Sequence, residues 1–353
     1  MKPVLSNLTI LFFLFVTTPV VTAQVEDLAT GDIRPIRDNV GFCWDSIQMT
    51  RLIRYLGTID RTLPPPAHIV AAISPHDDYL YAGRVYYPLY RVLRAKEVVI
   101  FGVTHGDVRP QIGDPHNIVI FDNFRYWQGP FGNISTSPLR EFIKSKMDTS
   151  YFIVSNKAQT LEHSVEALLP FLQYYNRDIR ITSIMVTQMQ FGRMDTISDQ
   201  LSAIISDYVK QNHLLPGKDI AFLISSDADH YGRDFNNVPY GEDAKAHEEA
   251  TANDRRIARK DIDGILSSGK VLDLTAEMRK TVWCGKYSVP FGLLMSEKII
   301  MKLSAKRLEG RLLRYSDSYA EGVLPLKDTG MGTTAPASYK HWCGWLAAGF
   351  YLR

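Results

Sequence analysis

The chain has 353 residues, 45% of them hydrophobic and 22% charged, with a formal net charge of +2 at pH 7. That is the balance of an ordinary globular protein with a real core, long enough for one large domain or two small ones. It excludes the strong field that would recruit nucleic acid or an anionic membrane.

The amino end comes first. Lys2 supplies a small positive start, Leu8 to Val21 is apolar, and Val21-Thr22-Ala23 is a small-residue cleavage pattern before Gln24. This reads as a secretory signal peptide over residues 1–23, with a periplasmic or secreted mature chain over 24–353. An uncleaved anchor is the competing reading, but the apolar run is short for a span and Pro19 interrupts it. No cysteine sits at the cleavage point, so lipid attachment is not indicated. No later segment is long and apolar enough to cross a bilayer, and no stable membrane insertion is expected once the signal is removed.

Residues 24–39 form a polar leading segment, and Ser46 to Leu56 has helical spacing. Pro64-Pro65-Pro66 is a rigid connector. Strands and helices then alternate. Ile69–Ser74 reads as a strand, Gly83–Arg94 as a helix, Val98–Val103 as a strand and Ile118–Asp122 as another. A loop rich in glycine and aromatics follows, from Tyr126 to Gly132. Ser137–Met147 is predicted helical, with Ser137 as a cap and Pro138 in the first turn. Tyr151–Val154 is a short strand, and Val165–Tyr175 a helix with Pro170 as a kink. Arg180–Val186 is a strand, Met194–Gln211 a long amphipathic helix, and Ile220–Ser225 the most hydrophobic strand. Ala244–Ser267 is a charged helical region and Val289–Leu303 an apolar helix. Leu312–Tyr315 and Trp345–Leu352 close the chain as strands. The alternation predicts a single α/β domain, with a central mostly parallel sheet flanked by helices.

Two strands share one grammar: an apolar run, a small turn, a histidine. Ile69–Ser74 leads to Pro75 and His76, and Val98–Val103 leads to Thr104 and His105. Ile220–Ser225 leads to Ser226, Asp227, Ala228, Asp229 and His230. In an α/β sheet, chemistry collects beyond the carboxyl ends of the strands. Imidazole and carboxylate delivered there describe a candidate metal site, and Cys284, just before an apolar helix, adds a thiolate to give a ligand set suited to iron, copper or zinc. Taken singly, each residue has a plainer role as a loop histidine, a helix cap or a small buried thiol. His68, His116, His213, His247 and His341 keep that plainer role. The three cysteines are Cys43, Cys284 and Cys343, an odd number that leaves at least one thiol free or bound. A Cys43–Cys343 disulfide is one arrangement, and three buried apolar cysteines the other.

The ordered motifs resemble the Memo-like family, also called AmmeMemoRadiSam system protein B. They are Pro75-His76-Asp77-Asp78-Tyr79-Leu80-Tyr81-Ala82-Gly83, Gly102 to His105, Gly129 to Gly132, Glu162 to Glu166, Ser225 to Gly232 and Cys284-Gly285. The resemblance covers about residues 34 to 353. It implies a fold like that of the class III extradiol ring-cleavage dioxygenases. It also implies an ion, iron or copper, on His76, His105 and Cys284, with His163, Asp227 and His230 around the pocket. The third ligand of the ring-cleaving relatives is a carboxylate, so a thiolate here changes the chemistry and ring cleavage is not implied. Asp77-Asp78 departs from the family's Ala-Gly. These carboxylates either accept hydrogen bonds from the ligand imidazole, add negative charge near the ion, or face solvent.

The leading expectation is an exported redox metalloprotein acting on a small-molecule substrate or dioxygen. His230 would be the acid/base, Asp227 would orient it or stabilise its charge, and His163 would hydrogen-bond substrate or a bound oxygen species. A non-catalytic metal- or ligand-binding protein and a hydrolase with Cys284 as nucleophile are the alternatives.

Overall fold

In the computed structural model, four short apolar strands lie side by side and parallel. They are β1 (Ala71–Ser74), β2 (Glu97–Gly102), β3 (Arg180–Val186) and β4 (Ile220–Ser225), in the order β3-β2-β4-β1. Every residue of β1, β2 and β4 is buried, as parallel strands covered on both faces must be. β5 (Leu308–Asp317) and β6 (Trp342–Leu352) extend the β1 edge in antiparallel fashion, β6 against β1 and β5 against β6. The structure describes residues 31–63 and 68–353. The expected signal peptide and the Pro64–Pro66 connector lie outside them.

Alternate side chains of each strand feed two cores. Val98, Ile100, Ala221 and Leu223 face one, and Val99, Phe101, Phe222 and Ile224 the other. The first core is closed by α1 (Ser46–Ile59) and α2 (Tyr79–Tyr90). Asp45 starts α1 by accepting from the Ile47 and Gln48 N–H groups, and Met49, Leu52, Ile53 and Leu56 form its buried stripe. The second core is closed by α3 (Phe191–Gln211) and α4 (Ser288–Leu303). Gly292 lets α4 sit hard on the sheet, since a Cβ there would come within 2.5 Å of Ile224.

The expected single α/β domain is observed, with a few local departures. The charged region expected over Ala244–Ser267 is a helix only to Ile257. A wider π turn (Ala258–Ile262) and a two-residue strand (Gly264–Ile265) follow. Gly264 has φ of +86°, which breaks the helix, and Ser267 then caps a further helix, Ser268–Met278. Pro170 does not kink a helix over Val165–Tyr175. It lies in the first turn of a helix that begins at Leu169, after a 3-10 turn. The Gly-rich aromatic loop contributes small strands at Tyr126–Trp127 and Ile134–Thr136.

All of the singled-out residues leave the same edge of the sheet. His76 follows β1, His105 follows β2, and Asp227 and His230 follow β4. Cys284 reaches that edge from the turn before α4.

Candidate functional site

His76 is fixed by two hydrogen bonds. Its N–H donates to Asp227 Oδ1 at 2.9 Å, and its ring Nδ1 lies 2.7 Å from Ser225 Oγ. The Ser225 hydroxyl donates onward to the Ser164 carbonyl at 2.6 Å. Its one proton is therefore committed, Nδ1 of His76 must be the donor, and Nε2 is left bare. That Nε2 is buried without a hydrogen-bond partner among the described residues, with Asp227 Oδ2 3.4 Å away.

His105 is held by Glu162. Its N–H meets Oε2 at 3.0 Å and its Nδ1 meets Oε1 at 2.8 Å. The carboxylate can only accept, so again Nδ1 carries the proton and Nε2 is bare. The two rings stand edge to face with centroids 5.1 Å apart.

Cys284 arrives on a tight turn. The next residue, Gly285, donates its N–H to Ser226 Oγ at 3.2 Å, and a Cβ on Gly285 would lie 2.3 Å from that oxygen. The Cys284 sulfur is 3.6 Å from His230 Nε2. Side-chain atoms of His76, His105 and Cys284, one from each, all lie within 4.8 Å of one another. His105, Glu162 and His163 form a second such group, and Asp227, His230 and Cys284 a third. In the second, Glu162 already accepts from His105 twice and from the His163 and Ser164 N–H groups at 2.8 Å each. Its acceptor capacity is taken.

His163 stacks on His105 with centroids 4.6 Å apart and planes 9° from parallel. Arg37 Nη1 lies 3.2 Å from its Nδ1. A guanidinium only donates, so Nδ1 accepts and the proton sits on Nε2. Asp227 accepts its hydrogen bond from the His76 backbone N–H; its group with His230 and Cys284 places it near His230, which it does not hydrogen-bond. The His230 Nδ1 faces the Ala228 carbonyl at 3.3 Å instead.

Burial shapes the titration of the cluster. It pushes the Cys284 thiol well up, with the carboxyl groups of Asp227 and Asp77 adding to the effect. It also pushes Asp227 well above the usual carboxyl range, with Asp77 next in importance. It lowers His76, helped by His105 and His163, and lowers His163 to about 4. Burial would raise Glu162, but His105 outweighs it and holds the carboxylate low. The same pair holds His105 above the ordinary histidine value against burial. A cation among these groups reverses the pattern for thiol and carboxyl.

The cluster opens on a cavity of about 340 Å³, whose lining includes His76, Asp77, Asp78, His163 and His341. Of the three roles expected of Asp77 and Asp78, hydrogen bonding to the ligand imidazole and open exposure to solvent are not found, while the negative charge of Asp77 does bear on Cys284 and Asp227. Asp77 accepts from Trp345 Nε1 at 3.0 Å and from the Asp78 N–H, and Asp78 is buried and accepts from Thr334. Neither carboxylate hydrogen-bonds an imidazole. Asp78 is pushed up to about 7 by burial and by Asp77. The Cys43–Cys343 disulfide is absent, and all three cysteines are free thiols. Cys43 turns to the Asp45 carbonyl, while Cys343 pairs in register with His230 and lines the cavity.

Sequence reasoning missed Glu162, Ser225, Ser164 and Arg37 as the groups that set the imidazole tautomers. The first three lie inside motifs already singled out. Arg37 carried no signal. His341, read as a plain loop histidine, lines the cavity and packs on Phe235 at 4.5 Å.

A family model described as Memo-like protein matches residues 48–324. A MEMO1 family protein of Methanosarcina barkeri is 32% identical over 166 residues, 46% of this chain. The match spans little over half of that relative, 56% of its length. A MEMO1 family protein of Pyrococcus horikoshii is 26% identical over 261 residues, 71% of this chain and 81% of that protein. One from Saccharolobus islandicus is 26% identical over 234 residues, 64% and 70% of the two chains.

Proposed function

The chain belongs to the Memo-like family, and from that premise we propose that it is an exported metalloprotein with a redox-capable ion on His76, His105 and Cys284. One observation carries the reading. Two imidazoles, each with Nδ1–H committed to an oxygen, present bare Nε2 atoms beside one sulfur. The buried Nε2 of His76, without a hydrogen-bond partner, is what a metal ligand needs. A soft thiolate beside two imidazoles favours iron or reduced copper over a hard, oxygen-seeking ion. When bound, such an ion supplies one-electron chemistry and open positions for dioxygen or a small substrate.

The protein's own groups do the rest. Burial and His105 depress the His230 imidazole, although Asp77 opposes them. It is therefore neutral at physiological pH and ready to take a proton on Nε2. Arg37 leaves the Nε2–H of His163 to donate to a bound substrate. Asp227 fixes the His76 backbone, a positioning role. Export rests on the pattern from Lys2 to Ala23. Amino-terminal sequencing of the native protein checks it, and a chain starting at Gln24 is the expected result.

The function is tested by dioxygen consumption of metal-loaded protein with catechols, thiols and reductants. Consumption that disappears in His76→Ala supports the reading. Stoichiometric metal without consumption makes the protein a binder only. A second reading rests on the 3.6 Å approach of Cys284 to His230, the spacing of a thiol nucleophile and its base. Hydrolysis abolished by thiol alkylation, yet indifferent to metal removal, would favour it.

A further inference from the structure

A second cavity, about 460 Å³, lies against the same cluster and shares His105, His230 and Phe235 with the first. The two differ in charge. The first is lined by Asp77, Asp78 and Asp227 and, among the described residues, by no lysine or arginine. The second is lined by Arg109 and Lys286 and, among the described residues, by no aspartate or glutamate. Cys284 borders only the second.

Lys286 stands two residues after Cys284, on the turn that leads into α4. Among the described residues it forms no ion pair or hydrogen bond. Asp229, whose carboxyl feels its charge, is turned instead to the Val282 N–H at 2.9 Å and to Asn237 at 3.1 Å. Arg109 begins the 3-10 turn after His105. Its Nη1 donates to Gln188 Oε1 at 2.8 Å. Its Nε is buried without a hydrogen bond among the described residues, and the exposed Asp114 stands 3.8 Å away. Val186, Phe235, Trp283 and Tyr287 supply apolar and aromatic wall, and Thr104, Gln188 and Ser288 supply neutral polar groups.

We propose that this cavity is the substrate chamber and that it binds a small aromatic carboxylate, its anionic end on Lys286 with Arg109 beside it. The ring then lies along Phe235 and Tyr287, with its far end toward Cys284 and His230. The volume suits a single-ring acid, and an unpaired ammonium in a cavity lined by no carboxylate among the described residues is a specific anchor for an anion. The acidic first cavity repels the same anion, so the ligand is drawn to one side of the cluster. The identity of the reacting centre rests on the metal reading above; the anion site does not.

Calorimetric titration of the full chain, in metal-free and metal-loaded forms, tests this with benzoate, its neutral isostere benzamide, and inorganic phosphate. Benzoate should bind both forms, and benzamide and phosphate about tenfold more weakly or worse. Lys286→Met and, as a second variant, Lys286→Gln should lose about tenfold in benzoate affinity while keeping wild-type metal content. Arg109→Gln should lose less. The proposal is overturned if benzoate does not bind, if benzamide or phosphate binds as well, or if the Lys286 variants bind benzoate like wild type. Should the wild type hold no metal but still bind benzoate through Lys286, the chamber stands and the metal reading falls.

Discussion

Glu162 grips His105 twice, by the backbone N–H at 3.0 Å and by the ring Nδ1 at 2.8 Å. This chelate fixes both the position and the tautomer of the imidazole. Replacing Glu162 by Gln keeps the shape but turns one acceptor into a donor facing an N–H. Removing such an orienting partner costs about 10–100-fold in metal affinity. Competition against a chelator measures the loss, and an affinity equal to wild type would count against this role.

The Cys284 turn depends on Gly285. An added Cβ would sit 2.3 Å from Ser226 Oγ and 2.8 Å from Val289 Cγ2. Gly285→Ala should push the turn off β4 and carry the thiol with it, at a cost of about 1–3 kcal/mol in stability. Metal retention should fall further than the melting temperature. Full metal occupancy in this variant would show that the turn tolerates the shift.

Arg34 and Glu166 form an ion pair with both side chains buried. Arg34 also donates to the Gln159 carbonyl at 3.1 Å and the Glu162 carbonyl at 2.7 Å, which ties the leading segment to the Glu162 motif. Arg34→Met strands a buried carboxylate and should destabilise the fold by about 3–5 kcal/mol. Urea denaturation reads the difference, and a change below about 1 kcal/mol would contradict it.

Asp254 anchors Trp283, the neighbour of Cys284, through a 2.6 Å bond from the indole, and it also accepts from Tyr315 at 2.8 Å. Burial, then the nearby Asp229 carboxyl, push it up to about 7 from an ordinary value of 3.8. Its folded-state value is raised, so the folded chain holds the extra proton between those two values. The stability it contributes is complete below about pH 4 and is lost as pH rises toward 7. Asp254→Asn removes that loss. Denaturation at pH 5 and pH 7.5 should show the variant gaining on wild type as pH rises, and a pH-independent difference would refute the assignment.

The strands that carry the site were readable because their side chains are buried on both faces. Val98–Val103 and Ile220–Ser225 are unbroken apolar runs, and each is followed by a turn that can only sit at a strand end. The helix break after Ile257 was not readable. The charged pattern runs on, and the break is set by Gly264 pairing with Gly310, a contact made only in the folded sheet. The same limit applies to roles within the site. Asp227 is expected to orient or charge-stabilise His230, yet its hydrogen bond crosses from β4 to the end of β1. The two aspartates after His76 gave no hint that Trp345 and Thr334, far along the chain, would claim them.

Elemental analysis of anaerobically purified protein, beside His76→Ala, His105→Ala and Cys284→Ser, tests the central claim most directly. The account predicts one iron or copper per wild-type chain and its loss from all three variants, each with wild-type far-ultraviolet circular dichroism. Full metal content in the three variants, or a wild-type chain that takes up no such ion on reconstitution, would contradict it.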